Sequence, residues 1–121
     1  MAKDSHYFQH DAVARFDPKI RALIKKYGIE GYGRFWIIIE MMRSSAGYKL
    51  EDKDYVWLAI SEQIACSVEQ TKAFIQDCCV EFELFIQADG FFYSMSLLDR
   101  MQKLDAIRDK YKKAANARWD N

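Results

Sequence analysis

A single proline and five glycines in 121 residues leave little room for linker, so nearly all of the chain is expected to be ordered elements and short turns. Three cysteines, Cys66, Cys78 and Cys79, are not spaced as CxxC, and adjacent cysteines rarely bridge each other. That spacing offers no redox or zinc-ribbon motif. The opening MAKDSHYFQHD lacks the apolar core of a signal peptide, which predicts a reducing cytoplasm and free, buried thiols. The longest apolar run, FWIII, is far short of the roughly 18 residues of a membrane span. Net charge is zero, so the total points to no class of partner.

What is present is apolar and aromatic: half of the residues are hydrophobic and 15% aromatic, which argues against disorder and for one domain with a real core. The charge is also unevenly distributed. Residues 1–49 hold nine Lys/Arg against five Asp/Glu, a balance of +4. Residues 50–99 hold two against ten, a balance of −8, and residues 100–121 hold seven against three, again +4. An acidic middle between basic ends constrains any nucleic-acid role.

Asp17-Pro18 reads as a cap followed by a first-turn proline. Ile20, Leu23, Ile24 and Tyr27 then form one apolar stripe, and Gly28 is expected to stop the helix. A second helix is expected from Glu30 to Ser45, with Tyr32, Phe35, Trp36, Ile39 and Met42 inward and Ile37 and Ile38 widening that face. Gly31 and Gly33 near its start would allow another backbone to approach. Tyr48-Lys49-Leu50 is a short strand candidate, and a third helix is expected over Asp54–Ala65. Ser67 and Gln70 have capping-box spacing ahead of a fourth helix whose inner face is Val68, Thr71, Ile75, Cys78 and Cys79. Two strands in LFIQADGFFYS meet at Asp89-Gly90, a pair that tolerates the positive φ of a tight hairpin. A last helix from about Ser96 carries Leu97, Met101, Leu104, Ile107 and Tyr111 at three- and four-residue steps.

Helix, short strand, helix, tight turn, helix and hairpin is the order of a winged helix-turn-helix. The expected fold is mainly α: a winged helix-turn-helix with a small β-hairpin wing and extra N- and C-terminal helices. The expected divisions are an N-terminal arm at 1–16, the domain at 17–115, and a basic tail end at 116–121 that opens a linker to a further region.

The segments YFQHDAVAR, DPKI, YGIEGYGRFWIIIEMMR, GYKL, ELFIQADGFFYS and RDKYKKAANARW together resemble a known family. It is the N-terminal domain of phage and mobile-element replication proteins, related to the N-terminal domain of the primosomal protein DnaD. The resemblance runs over residues 7–119. It implies a replication-initiation setting and a winged-helix domain that supports DNA binding or self-association.

The residues suggest several sites. His6 and His10 lie four apart beside Asp11, but no helix signal covers them and no further ligand is near, so neither a metal nor a cofactor is expected. No base, glycine-rich loop or phosphate cradle accompanies the cysteines, so neither catalysis nor a small-molecule substrate is expected. In the fourth helix, Gln70, Lys72 and Gln76 are the candidate base readers, against Glu69 and Asp77, which would oppose phosphates. Arg108, Lys110, Lys112, Lys113 and Arg118 are dense in the last helix, with Tyr111 and Trp119 as stacking aromatics. The plainer alternative for that cluster is a solvated face with i, i+4 pairs. Lys19, Arg21, Lys25 and Lys26 form a second basic group on the first helix. Asp89 makes the wing a poor phosphate contact, and one of Phe91 and Phe92 is expected to be exposed there.

The function expected from this is a DnaD-like replication-initiation domain that assembles with itself or a replisome partner and holds DNA weakly, without sequence specificity. A sequence-specific helix-turn-helix regulator and a protein-interaction module without DNA binding stay open as alternatives.

Overall fold

The computed structural model describes residues 16–119, Trp119 by its backbone alone. The expected N-terminal arm, with His6 and His10, lies outside the described residues except for Phe16, as do Asp120 and Asn121.

Asp17 starts helix α1 (Pro18–Arg43) as expected, its carboxylate accepting the Lys19 backbone N–H at 2.8 Å. At Gly28 the backbone leaves helical geometry, with φ 75° and ψ −170°, and then returns to it. Only glycine reaches that region without a steric penalty. The two helices expected here are therefore the two limbs of one kinked span. The kink sets Tyr27 over Gly31, where a Cβ would run into the Tyr27 Cβ and sit 3.6 Å from Leu23 Cδ2. Gly31 thus does permit a close approach, of a side chain from its own helix and not of another backbone. A Cβ at Gly33 would meet none of the described atoms within 4 Å.

The second limb of α1 runs through the core. Phe35, Ile38, Ile39 and Met42 are buried along it, and Phe35 stacks on Phe85 with ring centroids 5.4 Å apart. A short 3-10 turn, Ala46–Tyr48, leads into β1 (Leu50–Glu51). The strand therefore starts two residues later than Tyr48, whose own φ of 61° excludes extended structure. Helices α2 (Asp54–Gln63) and α3 (Val68–Val80) follow, joined by a tight turn in which Ala65 takes φ 55°. Strands β2 (Ile86–Ala88) and β3 (Phe91–Tyr93) form the hairpin, and α4 (Met95–Trp119) closes the chain. Asp89 and Gly90 have φ of 56° and 78°, the positive values that a two-residue hairpin turn needs.

The result is a mainly helical fold with one small antiparallel sheet, in the order β1-β3-β2. Central β3 sets Phe92 opposite Leu50 and Gln87, and its ring stacks on Trp57 at 5.0 Å. The Trp57 indole N–H donates to Asp52 Oδ1 at 2.7 Å, which ties the start of α2 to the sheet. The inner face of α3 includes Phe74, which the expected stripe omits, while Cys79 is only half-buried. Among the described residues no helix is long and apolar enough to cross a membrane.

The two α1 glycines supply a paired test by thermal denaturation. Gly31→Ala forces Tyr27 out of its place and is expected to destabilise by about 1–3 kcal/mol, the usual range for overpacking. Gly33→Ala is expected to stabilise by about 0.5–1 kcal/mol through helix propensity alone. Equal effects from the two substitutions would refute this account of the kink.

Candidate nucleic-acid interface

Helix α3 occupies the position of a reading helix, and its side chains decide whether it can act as one. Ser67 caps it: the Gln70 backbone N–H donates to Ser67 Oγ, and the Ser67 N–H donates to Gln70 Oε1, both at 3.0 Å. The box expected from the spacing forms, and it occupies the amide oxygen with which Gln70 would read an adenine. Lys72 lies with its ammonium 5.6 Å from the centre of the Trp57 ring, a cation–π contact that draws it along α2. Gln76 is exposed, as is Glu69.

Asp77 does not face outward as a bar to phosphates. It is half-buried against the first limb of α1, where the Tyr27 hydroxyl donates to it and Lys26 Nζ lies 3.1 Å away. The same ammonium donates to Glu81 at 2.7 Å. Burial works against the Asp77 carboxylate, but the bonds from Tyr27 and Lys26 outweigh it and hold the carboxyl below its ordinary value. Burial, then the bond to Asp77, pushes the Tyr27 hydroxyl up to about 12. The bonds to Glu81 and Asp77 raise the Lys26 ammonium, which stays charged at any physiological pH.

This arrangement divides the basic group of the first limb. Lys26 is held by α3, and Lys19 donates to the Glu83 carbonyl at 3.3 Å. Arg21 and Lys25 are exposed.

Helix α4 is built in two parts. Leu97 and Met101 are buried against the body, and Ser94 caps the start, its hydroxyl accepting the Leu97 N–H at 3.2 Å. The Tyr48 hydroxyl donates to Asp105 at 2.6 Å, and that bond is the main reason the Tyr48 hydroxyl is raised above its ordinary value. From residue 106 to residue 118 every position is exposed. The apolar stripe expected along the whole helix is therefore buried only in its first turns; Ile107 and Tyr111 are 50% and 72% exposed. This projecting arm carries Arg108, Lys110, Lys112, Lys113 and Arg118. Arg108 reaches Asp105 at 3.8 Å, a long surface pair worth little. The Trp119 side chain lies outside what is described.

The hairpin offers less. Phe92 is fully buried and Phe91 half-buried, so the exposed phenylalanine expected at the wing edge is absent there, and Ile86, at 37%, is the apolar side chain it shows to solvent. Gln87 donates to Asp52 at 3.3 Å. Burial raises the Cys78 and Cys79 thiols, which are poor nucleophiles in that state. Among the described residues no group of three His, Cys, Asp or Glu is placed to hold a metal.

The family model described as Lin1244/Lin1753-like, N-terminal, covers residues 7–97, most of the chain up to the root of the arm. No curated protein and no solved structure matches.

The Tyr27–Asp77–Lys26 cluster predicts how stability varies with pH. Asp77 has a lowered folded value, so its contribution is full above the ordinary aspartate range near pH 4 and is lost as pH falls through the folded value. Tyr27 has a raised value, so its contribution is full below about pH 10 and is lost as pH rises toward 12. Tyr27→Phe is expected to cost about 0.5–1.5 kcal/mol at neutral pH and to flatten the alkaline limb. Urea denaturation between pH 3 and pH 11 checks both limbs.

Proposed function

The chain belongs to the Lin1244/Lin1753-like N-terminal family, and we propose that it works as a DnaD-like winged-helix domain in replication initiation on a phage or mobile element. On this reading it is a non-enzymatic cytoplasmic module. It binds DNA without sequence specificity and assembles with itself or with a replisome partner. The order of α2, tight turn, α3 and the β2–β3 hairpin supports the winged-helix reading.

One observation carries the DNA half of the proposal: the dense run of exposed cations is on the arm and not on α3. Arg108, Lys110, Lys112, Lys113 and Arg118 stand on a helix that solvent surrounds from residue 106 onward. In α3, Gln70 is engaged in its cap and Lys72 lies over Trp57. Lysine and arginine on a solvated helix neutralise phosphates and release condensed counterions, an attraction that ignores base identity. Tyr111, 72% exposed among these cations, adds a surface on which an unpaired base can stack. Arg21 and Lys25 on the first limb extend the basic surface.

Fluorescence anisotropy of labelled single- and double-stranded DNA tests the proposal. Binding is expected to be indifferent to sequence and to weaken at least about tenfold between 50 and 200 mM salt. Reversing Lys110, Lys112 and Lys113 to Glu together is expected to abolish it, whereas Gln70→Ala and Gln76→Ala are expected to change it less than about twofold. A footprint confined to one sequence and lost on Gln76→Ala would favour an operator-binding regulator instead. No binding at either salt would favour a protein-interaction module.

A further inference from the structure

The arm presents an apolar stripe that its own copy does not cover. Leu104, Ile107 and Tyr111 are 36%, 50% and 72% exposed. By helical spacing, Arg108 and Lys112 border one side of the stripe, and Lys103 and Lys110 the other. From Asp105, whose carboxylate accepts the Tyr48 hydroxyl, to Arg118 the helix runs on for about 20 Å. A helical segment of this length is marginal in water without a surface to pack on.

The body carries a surface of complementary character. An open groove of about 450 Å³ lies between the second limb of α1 and α2. Ile37, Met41 and Ala59 give it an apolar lining, and Glu40 and Glu62 give it negative charge. It is thus an open groove of mixed lining, apolar at Ile37, Met41 and Ala59, polar at Ser44, Ser45 and Gln63 and acidic at Glu40 and Glu62, on a molecule whose arm is an apolar ridge with basic borders. The groove also extends to Ser45, three residues before Tyr48, whose hydroxyl holds Asp105 where the arm leaves the body. The Ser45 edge of the groove therefore adjoins the turn, Ala46–Tyr48, that holds the root of the arm. The continuous α4 carries the arm away from the body, so its own copy's groove is not where the arm lies.

We propose that the arm of one copy lies in the Ile37–Met41–Ala59 groove of a second copy, reciprocally, to form an arm-exchanged dimer. Leu104, Ile107 and Tyr111 pack on the groove, while the basic borders of the arm face Glu40 and Glu62. Because each copy gives its arm and receives its partner's, the exchange closes about a two-fold axis and leaves no open site for chain growth. Lys113, on the far side of the arm from the stripe, remains free to meet phosphate, whereas Tyr111, Lys110 and Lys112 serve either the groove or DNA, so the two compete for the arm. The proposal rests on the self-association half of the function proposed above and names its surface.

The test uses the 121-residue chain in sedimentation velocity, with circular dichroism as the control for folding. A dimer that weakens from about 50 to 500 mM salt is expected. Ile107→Asp and Ala59→Lys are each expected to weaken it by at least about tenfold, with helical content unchanged because both side chains are exposed in the single copy. The decisive arm is a charge exchange. A chain with Lys110→Glu and Lys112→Glu, and a chain with Glu40→Lys and Glu62→Lys, are each expected to be monomeric alone. Mixed, they are expected to form a one-to-one dimer, because both exchanged contacts then pair opposite charges. If the wild-type chain is a monomer at every concentration, the exchange and the self-association reading both fall, and the DNA reading stands separately. If the wild type is a dimer but the mixed chains do not recombine, self-association stands and the exchange is wrong. A dimer broken by Ala59→Lys but not by Ile107→Asp gives the groove another occupant and likewise overturns it.

Discussion

The contact of Tyr27 and Lys26 with Asp77 joins the first limb of α1 to α3, and the orientation of α3 depends on it. It exists because Gly28 breaks α1 in a conformation closed to other residues. The break lets the first limb lean onto α3 while the second limb runs through the core beneath Phe85. Tyr27 serves both sides of that junction. Its ring meets Phe74 edge-on at 4.9 Å, its hydroxyl donates to Asp77, and its Cβ occupies the space that Gly31 leaves empty. A half-buried carboxylate with two donors is favourable where an unpaired one would not be, so α3 is held in one orientation.

That orientation bears on what α3 can offer a ligand. Its first turn is closed by the Ser67–Gln70 box, its lysine lies against Trp57, and its last acidic residues are paired with α1. Of the side chains that would have to reach base edges, Gln70 and Lys72 are engaged within the domain, and Gln76 is exposed. The charge that remains accessible has moved to the far end of the chain, onto a helix that leaves the body after Asp105. The acidic middle and the basic end seen in the sequence are thereby separated in space, which is the condition for a charged end to act on something other than its own domain.

The local signals in the sequence were legible because each works within a few residues. Asp17-Pro18 starts a helix, Ser67 and Gln70 cap one, and Asp89-Gly90 turns a hairpin, all through backbone geometry that neighbours determine. The break at Gly28 was legible for the same reason. The limits appear where periodicity has to name a partner. Leu97 through Tyr111 recur at one spacing, yet Met101 is buried and Ile107 is not. Asp77 reads as an outward charge by position in its helix, and only the return of Tyr27 across 50 residues of chain makes it an inward one. Phe74 lies beyond the stripe that Val68, Thr71, Ile75, Cys78 and Cys79 mark on α3, and the Tyr27 ring that meets it edge-on places it on the inner face.

The sequence by itself determined the helical and hairpin elements, most of their boundaries, the apolar faces of α1 and α3, and the segregation of charge along the chain. These follow from torsional preference, capping and hydrophobic period, which act locally. Tertiary structure alone decided which polar side chains are occupied and which are free, that α4 outruns the body, and that an acid-bordered groove lies beside the root of the arm. Those outcomes depend on distances between residues far apart in the chain, and such distances exist only once the core has closed.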